Sequence, residues 1–188
     1  DLVKAVSLIK GKPDEIEPDG FPNPRGIPVS TLHFNIWYHL GLAYYLEGDL
    51  ENAYNAYKEC LQISDIPDKY VATAHWLYMT NQLLGKKEEA EKVLEKVTLE
   101  MDIIENQFYF KCLLMYKGEM TPEAILEEAR KQEPIGFAGI AYGIANWFNY
   151  NKRKADAKKI LDEIVATENW AAFGYIAAEA DLKRLFDR

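Results

Sequence analysis

Three histidines, two cysteines and one run of acids are the residues of this chain whose types could do chemistry. His33 and His39 stand six apart, on different faces of any helix. No Glu or Cys stands three or four residues away to complete a metal site, and His75 is isolated. The acidic stretch Asp14, Glu15, Glu17 and Asp19 before Gly20 is spaced like the opening of a calcium loop. With Glu15, Glu17 and Asp19 as the first ligands, however, the bidentate glutamate would fall on Gly26, which has no side chain. The stretch therefore reads as a solvated turn. Cys60 and Cys112 fall on helix faces expected to be buried and read as two packed thiols, which leaves the compartment open. There is no G-x-S-x-G, no glycine-rich phosphate loop and no HExxH. The expectation is a non-catalytic chain without cofactor or metal.

Charge narrows the partners. The net charge of −8 and a pI near 5.0 oppose nucleic-acid binding, which needs a positive footprint. Lys152, Arg153, Lys154, Lys158 and Lys159 make only a small basic patch. No apolar run approaches the roughly 20 residues of a membrane span, and no segment looks like a signal peptide. The chain as given reads as soluble, cytoplasmic by default and exported if a leader was removed with a preceding segment.

What would position any functional surface is a set of helices. Trp37, Leu40, Gly41 and Tyr44, followed by Gly48 and Asp49, Ala53, Tyr57 and Pro67, describe two helices that must pack closely. Gly41 leaves room for the partner helix, and Ala53 is the matching small residue opposite. Gly48 suits a left-handed helix end, and Asp49 sits where an N-cap belongs. The spacing resembles the tetratricopeptide repeat, W-x2-L-G-x2-Y, then A-x3-F, then proline. Aligning the small residue of each second helix gives Ala53, Ala90, Ala124 and Ala157, at intervals of 37, 34 and 33 residues. The first unit is the clearest. In the third, Lys111 takes the usual leucine slot and Glu128 the usual aromatic one.

The fold class expected is all-α, an α-solenoid of antiparallel helix pairs with about four repeats. Residues 1–10 read as the second helix of a truncated preceding repeat and 11–31 as a Pro/Gly-rich connector, anchored by Phe21, Ile27 and Val29. The helix pairs follow over 32–169, and residues 170–188 form a capping helix with Asn169 as its N-cap. First helices such as 34–46, 70–84 and 137–150 are nearly free of charge, whereas second helices carry most of it. They read as an enclosed layer and a solvated one.

The resemblance implies that the first helices line a concave binding surface. Carried over by repeat register, that surface takes Asn35, Tyr38, Leu42 and Tyr45 from the first unit and His75, Met79 and Gln82 from the second. Tyr109 and Tyr116 come from the third, and Tyr142, Asn146 and Asn149 from the fourth. Such a groove is neutral, with tyrosines for contact area and amides to pair with a peptide backbone. Positions that would carry a basic clamp for acidic termini hold Tyr38, Leu42 and Tyr109, which argues against that specificity. The reading is a protein or peptide scaffold. The alternative is a structural segment of a longer solenoid or a homo-oligomer, its groove filled by its own chain or a symmetry mate.

Overall fold

The computed structural model describes residues 1–17, 23–131 and 134–186. It is all-α, with ten helices among those residues: α1 (Leu2–Ile9), α2 (Leu32–Glu47), α3 (Leu50–Gln62), α4 (Pro67–Leu83), α5 (Lys87–Leu94), α6 (Gln107–Tyr116), α7 (Pro122–Ala129), α8 (Pro134–Tyr150), α9 (Lys154–Val165) and α10 (Phe173–Leu185). The only β pairing among the described residues is an isolated antiparallel bridge between Ile16 and Thr31. No helix among them is long and apolar enough to cross a membrane. The chain divides into two compact units, Asp1–Gln107 and Phe108–Arg188. In the first, α3 packs between α2 and α4, with α1 on α2 and α5 on α4; in the second, α8 packs with α7, α9 and α10. Short connections between packed neighbours make these antiparallel helix hairpins, the building unit of an α-solenoid.

One backbone device closes four of the hairpins. Gly48, Gly85, Gly118 and Lys152 all lie in the left-handed region, with φ of 84°, 75°, 80° and 65°. Each donates its N–H three residues back, to Tyr45, Gln82, Met115 and Asn149. The next residue donates five back, to Tyr44, Asn81, Leu114 and Phe148, at 2.8–3.0 Å. These paired bonds satisfy the last carbonyls of α2, α4, α6 and α8. Lysine at 152 replaces the expected glycine and bears a steric cost that glycine does not.

The phase of each second helix follows from its N-cap. The caps are Asp49, Lys86, Thr121 and Arg153. Four residues on, Ala53, Ala90, Ile125 and Ala157 are all fully enclosed. In the third hairpin the buried residue is thus Ile125, not Ala124, which is exposed. Glu119 and Met120 separate Gly118 from its cap, whereas the other caps directly follow their turn. That insertion moves the buried position two residues further from the turn, and the Ala124 alignment is one residue out of phase. Lys111 and Glu128, the two residues that fit the repeat pattern poorly, form an ion pair with each other.

Close approach between helices is specified twice. A Cβ on Gly41 would meet the Tyr57 ring at 2.6–2.8 Å, so the ring occupies the space that the missing side chain leaves. On Gly174 it would collide with the backbone carbonyl of Ala138, so α10 lies directly against α8. Helix α10 starts later than the expected Trp170. Its N-cap is Ala172, without a side-chain bond, and Asn169 instead accepts the Ala172 N–H through its carbonyl. Glu168 turns left-handed at φ 57°, and Trp170 is left 75% exposed.

The connector caps α2 from upstream. Thr31 makes no side-chain cap bond. Instead the Glu15 carbonyl accepts the Leu32 N–H at 2.8 Å, and the Asp14 carboxylate accepts the His33 N–H at 2.9 Å. Arg25 forks onto Asp102 at 2.7 and 2.9 Å, and Asn23 bonds Glu105 at 2.6 Å. Val29 is buried as an anchor, Ile27 is 43% exposed, and Phe21 lies outside the described residues. The loop to which Arg25 reaches is itself gathered by Asp68, whose buried carboxylate accepts the N–H groups of Ile104, Glu105 and Asn106 at 2.8–2.9 Å.

Two substitutions test these constraints. Lys152→Gly should raise the unfolding free energy by about 1 kcal/mol in urea denaturation, by removing a left-handed side chain. Gly174→Ala should lower it by about 1–3 kcal/mol, because backbone rather than a mobile side chain receives the new methyl. An unchanged midpoint in either case would contradict the corresponding account.

Candidate functional site

The face expected to bind is built from the inward ridges of the first helices. In the first unit those ridges enclose an aromatic cluster. Trp76 of α4, fully buried, donates from Nε1 to the Tyr38 hydroxyl at 2.9 Å. Tyr45 packs edge-on to Trp76 at 5.2 Å, and Tyr57 of α3 stands edge-on to Tyr38 at 6.4 Å. Three helices thus meet in one aromatic cluster around Tyr38 and Trp76, an indole that the sequence reading did not single out. Leu42, His75 and Met79 are buried around it. Helix α4 is enclosed on every side from Asp68 to Asn81, charged residues included. Two members of the expected face remain partly open. Gln82 donates to the Tyr78 hydroxyl at 3.1 Å. The Asn35 amide bonds Glu17 and, at 3.3 Å, Ser30, both from the connector.

In the second unit a polar network replaces the aromatic cluster. Tyr142 of α8, 1% exposed, donates to Asp181 of α10 at 2.8 Å. Asn146, also buried, donates to the Tyr142 hydroxyl at 3.4 Å, and Arg184 pairs with Asp181 at 2.6 Å. Tyr116 is buried and reaches the Gly143 carbonyl, while Tyr109 and Asn149 are half-buried. Of the twelve residues on the expected surface, Tyr38, Leu42, Tyr45, His75, Met79, Tyr116, Tyr142 and Asn146 therefore lie inside their units. Asn35, Gln82, Tyr109 and Asn149 retain access to solvent. Tyrosine serves a core as readily as a surface when its hydroxyl finds a partner inside.

The remaining reactive types are also held. Burial pushes the Cys60 thiol up to about 12 against the hydrogen bonds of Thr73 and Ser64, and burial alone does the same to Cys112. Both are protonated thiols at neutral pH, without nucleophilic character. Burial disfavours the Asp14 carboxylate. Hydrogen bonds from the His33 N–H and the Glu15 N–H, with the nearby Thr31 hydroxyl and His33 charge, outweigh it and hold Asp14 below its ordinary range. The acidic stretch thus serves as a helix cap, with Asp19 and Gly20 outside the described residues. No cluster of three or more His, Cys, Asp or Glu suited to a metal occurs among the described residues. Arg153 pairs with Asp156 at 2.7 Å and lies over the Phe148 ring, and Lys158 pairs with Asp162 at 2.9 Å. Two members of the basic patch are therefore neutralised locally.

Residues 34–65, which cover most of α2, all of α3 and the turn beyond, match the tetratricopeptide repeat family model. No curated protein and no solved structure matches the chain. A helical repeat of this kind supports a protein-interaction scaffold.

His75 provides a pH test of the enclosed ridge. Desolvation lowers its pKa to about 3, against an ordinary value near 6.5. Above pH 6.5 the imidazole is neutral in both folded and unfolded chains, and its contribution is complete. Below that the unfolded chain takes up the proton first, so stability falls until the pH reaches the folded value. Between pH 7.5 and 5 the loss from this group should be about 2 kcal/mol. Urea unfolding of His75→Gln should lack that increment; an identical pH slope in the two proteins would contradict it.

Proposed function

We propose that the chain is a non-catalytic protein-interaction scaffold that meets a peptide or partner segment with the first-helix face of its hairpins. The observation that carries this reading is the repeat match over 34–65, supported by the Gly41 and Tyr57 packing and the left-handed closures that recur along the chain. The contacts come from residues of that face with access to solvent, Asn35 and Gln82 in the first unit and Tyr109 and Asn149 in the second. Amides can offer both a donor and an acceptor to a bound backbone, and tyrosine adds area at low entropic cost. Tyr38, Tyr45, Tyr116 and Tyr142 with Leu42, His75, Met79 and Asn146 shape the face from beneath.

A second reading has its own support. Glu17 and Ser30 of the connector already occupy the Asn35 amide, as they would if the chain covered part of its own face. One experiment separates the two. Affinity capture with Asn35→Ala, Gln82→Ala, Tyr109→Ala and Asn149→Ala combined should weaken retention of the native partner about tenfold, with helical circular dichroism unchanged. Unchanged retention would remove the face from the mechanism. A marked gain on Glu17→Ala would assign the connector a covering role.

A further inference from the structure

Helix α1 forms a second surface, distinct from the first-helix face. Helix α3 is held between α2 and α4, whereas α1 packs chiefly on α2. Only Ile9 of its apolar stripe is buried, and Val3 and Leu8 are 59% and 56% exposed. Two cavities of about 390 and 460 Å³ follow this seam and share Val6 and Trp37. On α2 the floor is a ridge of Trp37, Leu40 and Tyr44, spaced i, i+3 and i+7, along which a further helix can seat. Asn52, Asn55 and Lys58 of α3 border it, so the seam includes the outer helix layer.

The charge of the seam runs against that of its surroundings. Residues 1–107 hold 18 Asp and Glu against 10 Lys and Arg, which accounts for the entire net charge of −8. Yet the charged groups lining the seam are Lys10, Lys12 and Lys58, with Glu59 as the single acid. None of the three lysines forms an ion pair among the described residues; Lys58 lies over the Tyr54 ring at 5.3 Å. Asp14 and Asp49 also stand beside the seam, but their carboxylates are engaged by the His33 N–H and by Asn52. The lysines at the rim, which have no carboxylate partner among the described residues, therefore set which flank is accepted; at physiological salt the Debye length of about 8 Å screens the more remote acids.

We propose that this seam docks an amphipathic helical segment of another protein, apolar along one stripe and bearing Asp or Glu on its flanks. The mode is a helix laid in a groove between two helices, with apolar anchors on the ridge and carboxylates over the rim lysines.

The probe is a labelled synthetic helix with a leucine stripe and glutamate flanks, read by fluorescence anisotropy at about 0.15 M salt. The same helix with lysine flanks serves as its control. The glutamate helix should bind about tenfold more tightly than the control. The combined Lys10→Glu, Lys12→Glu and Lys58→Glu variant, altered only at exposed positions, should reverse that preference. Val3→Asp should weaken both peptides at unchanged circular dichroism. Absence of binding, equal binding of the two helices, or indifference to these variants would overturn the proposal. So would sedimentation showing that the protein dimerises alone and that Val3→Asp abolishes the dimer, since the seam would then belong to a second copy.

Discussion

Each long first helix ends by folding its last carbonyls back onto the two residues that follow, and this closure lets the next helix return alongside it. Without a left-handed residue at 48, 85, 118 and 152 the chain would leave each helix on another heading, and its buried carbonyls would lack donors. Everything inward depends on that return. Ala53, Ala90, Ile125 and Ala157 reach the core because each stands four residues beyond an N-cap whose place the turn sets. Once the hairpin closes, the close contact of Gly41 with Tyr57 and the convergence of Tyr38 and Tyr45 on Trp76 follow from side-chain direction along the helices.

The two units solve the same packing problem with different chemistry. In the first, the ridge is closed by aromatic edges, with the Trp76 indole bonded to the Tyr38 hydroxyl inside. In the second, the corresponding tyrosine is tied to a carboxylate on α10, and the compact contact comes from backbone against backbone at Gly174. The buried carboxylate of Asp181 is tolerated because Tyr142 and Arg184 both donate to it. The connector and the 102–106 loop show the same economy of acids. Asp14 and Asp68 are both spent on backbone N–H groups, one at the start of α2 and the other in the 102–106 loop.

Much of this architecture was legible in the residues. Gly48, Asp49, Ala53 and Gly85 announced their turns and helices because glycine and caps report backbone geometry directly. The third hairpin was read one residue out of phase. Its marker is Gly118, but the two extra residues before Thr121 break the fixed distance from turn to cap, and a charged pair stands where apolar residues were sought. The capping role assigned to Asn169 failed for a similar local reason, the left-handed Glu168 that delays α10. Least legible was the surface itself. Repeat register gives the face on which Tyr38, Tyr45 and Tyr142 lie, but whether that face meets water depends on Trp76 and Asp181, which come from other helices.

The two thiols carry a consequence of their own. Cys60 and Cys112 sit beneath helix backbones, their sulfurs directed at the carbonyls of Phe34 and Ile140 at 3.8 Å, and both stay protonated across the physiological range. An oxidant reacts with thiolate that it can reach, and here it meets neither condition until a hairpin opens. The two thiols of the folded chain are therefore shielded from oxidants, and cysteine modification reports on unfolding.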